Sequence, residues 1–392
     1  MAAPSRFSDL HGPGKRLRVA VLNRIFKPTG GGAERYSIAL VEQLAQRHEI
    51  HVFAQDIDHQ CPGVTYHRVP APFVRPRWIN QLWFAFATWW LTRNGFDVVH
   101  SHENTWHGQV QTVHVVPIKY SLLQGRSGLA LAIRFLKIFT SPRLLAYLVL
   151  ESLRYAPKAG RCIALASQSL RATMLEVYPH TAASMVVVTP GIANVFLPAE
   201  GQEKVQARTQ LGLPTSGRCV LFVGNDYRKK GLPALLIAMR TLPADCYLAV
   251  VGNAAQKVRF QNEVRDMGLA DRVYFLGALK SVDLAYRAAD CLAHPTLEDT
   301  FAMVVLEALA HGLPVVVSGG RFCGIADLLA HESNALILAD PLDSSALAQS
   351  LKRVLDDPVL RVGLQVNGLQ FAQRYLWSEI AVAQERIYNS VA

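Results

Sequence analysis

Along the chain, short runs of Val, Ile, Leu and Ala alternate with longer stretches in which apolar residues recur every three or four positions. A continuous apolar run of four to six residues predicts a strand buried on both faces, and the wider spacing predicts an amphipathic helix. In the first half the runs fall at residues 17–22, 50–53, 97–100, 110–115, 162–166 and 185–188. The helical pattern at 33–47 puts Ile38, Val41, Leu44 and Ala45 on one face. The alternation restarts in the second half, with runs at 219–223, 247–251, 273–276, 291–294, 315–317 and 335–338. Helices are predicted to open near Leu232, Gln256, Ser281, Met303 and Ser344. Strands alternating with helices mean βαβ units and parallel sheets covered on both faces. The expected fold class is α/β: two doubly wound, Rossmann-like domains, residues 1–190 and 191–374, facing a central cleft. The stretch 190–214, with three prolines and several polar residues, reads as the linker, and a final helix at about 375–392 is able to pack back on the first domain. In open parallel sheets ligands bind at the carboxyl ends of the strands, so two facing sheets can share one ligand.

The length of 392 residues suits two domains, and a composition 51% hydrophobic and 18% charged excludes disorder as the main state. The six cysteines are scattered without a CxxC pair, which argues against a zinc site or a disulfide scaffold and fits a reducing compartment. Residues 1–15 are polar, with no apolar core of a secretory signal. The most apolar stretches are 78–91, too short to span a bilayer, and 129–150, interrupted by Arg134, Lys137 and Arg143. A cytoplasmic protein without a spanning helix is expected. Charge is one-sided: residues 1–190 hold 21 Lys and Arg against 10 Asp and Glu, whereas residues 191–392 hold 19 against 20. A basic first half implies an anionic partner: nucleic acid, acidic lipid or a phosphorylated acceptor.

Three segments carry candidate chemistry. Gly30-Gly31-Gly32-Ala33-Glu34 follows the first strand and opens a helix, where backbone N–H groups can meet an anion. It is not GxGxxG, so a nicotinamide site and a plain tight turn stand beside that reading. Residues 224–231, which include Asn225, Arg228, Lys229 and Lys230, place three adjacent cations at a strand end, a pattern suited to a diphosphate. A solvated charge run is the plainer alternative. Residues 294–312 run from a strand through an acidic loop into an apolar helix. Asp299 lies in the loop, where its carboxylate can face the cleft, and Glu307 follows eight positions later among apolar neighbours. An unpaired carboxylate there is costly, and ligand hydroxyls would satisfy it; a capping Asp and a satisfied core Glu are the structural alternative.

The third segment resembles the Glu-x7-Glu signature of the family 4 glycosyltransferases of GT-B fold, standing here as Pro295-Thr-Leu-Glu298-Asp299-Thr300-Phe301-Ala302 and, after Met303–Leu306, Glu307-Ala308. Phe222-Val-Gly224 through Lys230-Gly231 resembles the family's diphosphate loop, Gly31-Gly32-Ala33-Glu34 its N-terminal glycine loop, and Val188-Thr-Pro190-Gly191-Ile192 the passage into its second domain. The resemblance covers nearly the whole chain in order, and within the family it is nearest the lipopolysaccharide-core enzymes of α-1,3-glucosyltransferase kind. It departs at Asp299, where the usual residue is Glu, and at Ala302, where it is Gly; both bear on the sugar. The resemblance implies a retaining transferase that takes a sugar from a nucleotide-sugar donor, a UDP-sugar first, and uses no metal or other cofactor. Lys229 and Lys230 would neutralise the donor diphosphate, Asp299 would bind sugar hydroxyls, the N–H groups around Ala302 and Met303 would meet phosphate and sugar, and Glu307 would hold the ribose. Gly31, Gly32, Asn225, Glu298, Thr300 and Phe301 complete the donor set, and Val113-His114 resembles the family's cleft histidine, so Asp299, Lys230 and His114 form the catalytic set with no nucleophile assigned. A metal pair at His100 and His102, with His107 near, is disfavoured by spacing.

Residues 119–161 hold eight Lys and Arg and one acid, interleaved with Leu129, Ile133, Leu136, Phe139, Leu144 and Leu148, and Pro142 splits them into two amphipathic helices. Such helices favour an anionic membrane interface, which makes Arg126, Arg134, Lys137 and Arg143 the membrane or acceptor residues. Trp78, Trp83, Trp89 and Trp90 in the preceding helix read as the domain's own core. Nucleic acid is not an expected partner, because no recognition module is present. The reading is an enzyme peripherally bound to the inner face of the cell membrane, acting on a glycolipid or lipopolysaccharide-core acceptor. A GT-B-like nucleotide-sugar epimerase and a non-enzymatic, membrane-associated nucleotide-sugar binding protein are the alternatives.

Overall fold

The apolar runs become strands because side chains that are greasy on both faces need cover on both. The computed structural model describes residues 15–28, 32–73, 75–252 and 254–392. In the first half lie β1 (Arg18–Leu22), β2 (Ile25–Phe26), β3 (Glu49–Ala54), β4 (Asp56–Ile57), β5 (Val64–Arg68), β6 (Val98–Ser101), β7 (Val110–Val113), β8 (Cys162–Leu165) and β9 (Met185–Val187). β2 and β4 pair with each other, and the other seven form a parallel sheet in the order β5-β3-β1-β6-β7-β8-β9. In the second half β10 (Arg218–Val223), β11 (Cys246–Val251), β12 (Val273–Gly277), β13 (Cys291–His294), β14 (Val315–Ser318) and β15 (Leu336–Leu338) form a second parallel sheet, β12-β11-β10-β13-β14-β15. Both are doubly wound: the chain reverses direction beside β1 and again beside β10, and each reversal opens a crevice at the carboxyl ends of the strands.

The chain crosses between the lobes twice, and the crossings pair. The Ile192 N–H donates to the Tyr375 carbonyl at 2.8 Å, and the Trp377 N–H donates to the Ile192 carbonyl at 2.9 Å. A Cβ on Gly191 would stand 2.9 Å from that Tyr375 oxygen, so the close approach requires glycine. The last helix, Trp377–Val391, packs on the first lobe, burying Trp377, Ile380, Ala381, Ile387 and Tyr388 against the sheet and the helix Gly32–Leu44. The stretch 190–214 is not a bare linker. It contains the helix Gly201–Gln210, whose buried Arg208 donates to Asp290 at 2.8 Å and to the Ala288 carbonyl at 2.9 Å, tying it to the second lobe.

Pro142 does split the basic stretch, into Gly128–Phe139 and Pro142–Arg154. In the first of these only Ile138 is buried, while Leu129, Leu136 and Phe139 are 76%, 64% and 71% exposed. The Trp-rich helix Arg77–Thr92 corrects an expectation: it turns Phe84, Ala85, Ala87, Thr88 and Thr92 inward and leaves Trp89 and Trp90 exposed. On the inner face the Thr88 and Thr92 hydroxyls each donate one turn back, at 2.7 Å, to the carbonyls of Phe84 and Thr88.

Candidate active site

Two loops at the carboxyl edge of the second sheet lock together. The Leu297 N–H donates to the Lys229 carbonyl at 2.8 Å, and the Thr296 hydroxyl donates to the same oxygen at 3.2 Å. Gly231 lies in the left-handed region (φ 83°), and the Pro295 carbonyl occupies the place a Cβ would take. Over this base the Lys230 ammonium donates to Asp299 Oδ2 at 2.6 Å and to the Glu298 carbonyl at 3.1 Å. His294, buried at the end of β13, places Nε2 3.3 Å from the same Oδ2. Asp299 Oδ1 accepts the N–H groups of Ala302 and Phe301 at 2.9 and 3.3 Å. Burial alone would raise the Asp299 pKa, but the His294 hydrogen bond and the Lys230 ammonium outweigh it and hold the carboxyl well below the usual range. Burial pushes the His294 ring down, towards its neutral form.

This geometry gives Asp299 partners within the protein that the sequence did not show. A carboxylate has about four acceptor positions, and in this arrangement Lys230, His294 and two backbone amides engage them. Its neighbour Glu298 pairs with Lys229 at 3.2 Å, both side chains being 56% exposed. Glu307 is likewise not an unpaired carboxylate: the buried Tyr286 hydroxyl donates to its Oε2 at 2.7 Å. Burial and the adjacent carboxylate push the Tyr286 pKa well above its ordinary value, so the phenol stays a donor. Ala302 caps the helix Met303–Ala310 in the left-handed region (φ 73°), where the family pattern has glycine. The Phe301 side chain is buried in the core, while Met303 is half-buried at the helix start and Asn225 is exposed in its turn.

From the first lobe, His114 follows β7, and its carbonyl accepts the Thr300 hydroxyl across the cleft at 2.9 Å. Its ring stacks on His102 (5.4 Å between centroids, 8° between planes) with Nε2 3.1 Å from His102 Nδ1, and Tyr36 meets it edge-on at 4.7 Å. Behind it His100 lies between the Thr112 hydroxyl at 2.6 Å and the Tyr388 hydroxyl at 2.7 Å. Burial, reinforced by the Arg154 guanidinium, lowers His114 to about 3. Burial, then His114 and Arg154, does the same to His100, also to about 3. The fold thus favours the neutral form of the His114 ring. Gly32 is exposed at the start of its helix; Gly31 lies outside the described residues. Among the described residues no group of three or more His, Cys, Asp or Glu is gathered as a metal site.

A cleft of about 550 Å³ runs between the lobes past Lys229, Asp299 and Thr300, and Arg126 lines it, whereas Arg134, Lys137 and Arg143 lie on the two basic helices. Sequence reasoning missed Tyr286, His294 and Arg154. Tyr286 and Arg154 sit inside ordinary helical patterns with nothing to mark them; His294 stood at the predicted strand end, and that position was its signal.

Two parallel Rossmann-like sheets with a cationic loop and a helix N-terminus at one shared crevice define the GT-B class. The glycosyltransferase family 4 model matches residues 30–193 and the glycosyl transferases group 1 model matches residues 203–370, one on each lobe. The chain belongs to this glycosyltransferase family. A D-inositol 3-phosphate glycosyltransferase of Corynebacterium aurimucosum is 31% identical over 233 residues, covering 55% of this chain and 53% of the relative. That of Thermobispora bispora is 30% identical over 231 residues, with the same coverage. The chain thus spans about half the length of the curated relatives it matches. Among solved structures, WaaG, a glycosyltransferase involved in lipopolysaccharide biosynthesis, superposes with a TM-score of 0.77 at 22% identity over 94% of this chain and 99% of its own. HepE of Anabaena in complex with UDP-glucose gives 0.75 at 18% over 96% and 100%.

Proposed function

We propose that the protein is a retaining glycosyltransferase that moves a sugar from a UDP-sugar donor to a lipopolysaccharide or other glycolipid acceptor at the inner membrane face. The observation that carries the donor half is the Lys230 ammonium, held by Asp299 beside the start of the helix Met303–Ala310, with Glu307 one turn further on. A diphosphate leaving group builds negative charge as the sugar departs. Lys229, Lys230 and the first-turn N–H groups of Met303 and Val304, which a helix leaves without internal acceptors, are placed to take that charge. This reading assigns no resident metal or cofactor to that task. Asp299 acts by fixing Lys230 and the loop, and Glu307, oriented by Tyr286, is assigned the ribose hydroxyls. The UDP-glucose complex of the Anabaena neighbour supports the choice of nucleotide.

The acceptor half rests on the exposed apolar face of the helix Gly128–Phe139, flanked by Arg134, Lys137 and Arg143 and joined through Pro142–Arg154 to the Trp89-Trp90 ridge. That combination of aliphatic, aromatic and cationic groups suits an anionic membrane surface. No helix among the described residues is long and apolar enough to cross a membrane. Calorimetry with UDP-, GDP- and ADP-glucose tests the donor: one should bind, and Lys230→Met and Glu307→Ala should each weaken it. Undiminished binding and turnover in both variants would remove the assignment. Flotation with anionic vesicles tests the surface, where neutralising Arg134, Lys137 and Arg143 together should abolish salt-sensitive binding.

A further inference from the structure

The interdomain cleft holds two cations that the donor chemistry does not use. Arg126 comes from the first lobe, just after the helix Ile118–Leu123, and Arg321 from the second, in the loop after β14. Neither has a carboxylate partner among the described residues, in contrast to Lys229 with Glu298 and Lys230 with Asp299 on the same wall. Arg126 is pre-positioned: its Nη1 donates to the Ser121 and Leu122 carbonyls at 3.1 and 2.7 Å, which closes the helix end and leaves the rest of the guanidinium fork unpaired. Arg321 lies over the Phe322 ring at 5.5 Å and makes no hydrogen bond with the described residues. With both acids of the wall neutralised by their own lysines, the cleft carries the charge of the two arginines alone. Guanidinium forks match the tetrahedral oxygens of a phosphate and bind it bidentately.

Resting on the glycosyltransferase reading, we infer that Arg126 and Arg321 form a subsite for a phosphate monoester carried by the acceptor. A dianion gripped from both lobes draws them together, so the same contact that selects the acceptor also favours the closed cleft. The ester can belong to a soluble sugar phosphate or to a lipid headgroup, and the probes separate these. Glucose 6-phosphate and glucose are titrated into the full chain, and vesicles of phosphatidic acid (a monoester) are compared with phosphatidylglycerol (a diester). The wild type should bind glucose 6-phosphate in preference to glucose, and Arg321→Gln, which removes no hydrogen bond from the fold, should weaken it about tenfold or more, as should Arg126→Lys to a smaller degree. Loss confined to phosphatidic acid vesicles assigns the phosphate to a lipid. No preference of the wild type for either monoester, or unchanged binding of both in Arg321→Gln, overturns the subsite. Equal weakening of UDP in Arg321→Gln also overturns it, because the arginine would then belong to the donor diphosphate. A wild type that binds glucose 6-phosphate but no nucleotide leaves the subsite standing and removes the donor reading instead.

Discussion

Replacing Lys230 with Met keeps the side chain's length and removes one charge from the centre of the site. Its ammonium is 2.6 Å from Asp299 Oδ2, and the two side chains are only 22% and 18% exposed. A charge-assisted hydrogen bond contributes about 1.5–3 kcal/mol, and stripping one partner from a fully buried pair costs about 3–5 kcal/mol. Asp299 keeps His294 and two backbone amides, and the pair is partly solvated, so a loss of about 2 kcal/mol is expected for Lys230→Met. In a double-mutant cycle with Asp299→Asn, the coupling energy from urea unfolding should be about 1.5–2 kcal/mol. The pH dependence has a defined sign. Asp299 is depressed in the folded state, so its contribution is fully present above the ordinary carboxyl pKa of 3.8 and is lost as the pH falls from there towards its folded value. Without Lys230 the folded value rises, and the variant's stability should fall less steeply below pH 4 than the wild type's. In turnover the same change should lower kcat/KM by about 10–100-fold, the worth of one such bond to a departing diphosphate. Coupling below about 0.5 kcal/mol together with undiminished turnover would refute both the electrostatic account and the assigned role.

Tyr286→Phe deletes the only hydrogen bond that orients Glu307 among the described residues; the donor KM should rise about tenfold with kcat little changed, and an equal fall in kcat would argue against a ribose role. Each of His100 and His114 is held near 3 against an ordinary 6.5, so only the unfolded chain takes up their protons between those values. Stability is therefore complete above about pH 6.5 and falls as the pH drops, by about 2 kcal/mol for each ring at pH 5, and His114→Gln should flatten the corresponding limb of a denaturation-versus-pH curve. Thr300→Val removes the hydroxyl that reaches the His114 carbonyl across the cleft, worth about 1 kcal/mol; amide exchange should quicken several-fold at 110–116 and 297–302, and unchanged exchange would show that the bond does not hold the lobes.

The repeated strand signal was legible because parallel strands buried on both faces are uniformly apolar: 291–294 coincides with β13, and most other runs end within a residue or two of the observed strand. β5 was not legible, since Val-Thr-Tyr-His-Arg at a sheet edge carries polar residues and meets solvent. The helix Gly201–Gln210 hid inside a stretch whose prolines flank it, and Arg208 and Lys204, both on Asp290, tie it to the second lobe. In the site, the lysines, Asp299 and Glu307 were legible as types at a spacing. Their partners were not, because the bonds of Glu307 to Tyr286 and of Asp299 to His294 and Lys230 are made in space between separate elements. The tryptophans show the converse limit: periodicity marks an apolar stripe but does not say whether protein or something else covers it.

The two departures from the family pattern, Asp299 and Ala302, have one physical explanation. An aspartate is one methylene shorter than a glutamate, and its Oδ1 lies 2.9 Å from the Ala302 nitrogen and 3.3 Å from that of Phe301, where it closes the turn that leads into the helix. The backbone at 302 must turn left-handed to present that amide, a conformation that strains any residue with a Cβ by about 1 kcal/mol or more. The Asp299 bond to that amide and the burial of the Ala302 methyl offset that strain. The carboxylate is then committed to the protein, to Lys230 and to His294, while Glu298 stands exposed at the rim on a salt bridge weak enough to exchange. On the proposed reading, a donor sugar would meet a wall one methylene further back than the family's usual glutamate would make, beside the exposed Glu298–Lys229 pair. On the glycosyltransferase reading proposed above, Glu298 and the helix-start amides, rather than Asp299, are the groups placed to meet the sugar.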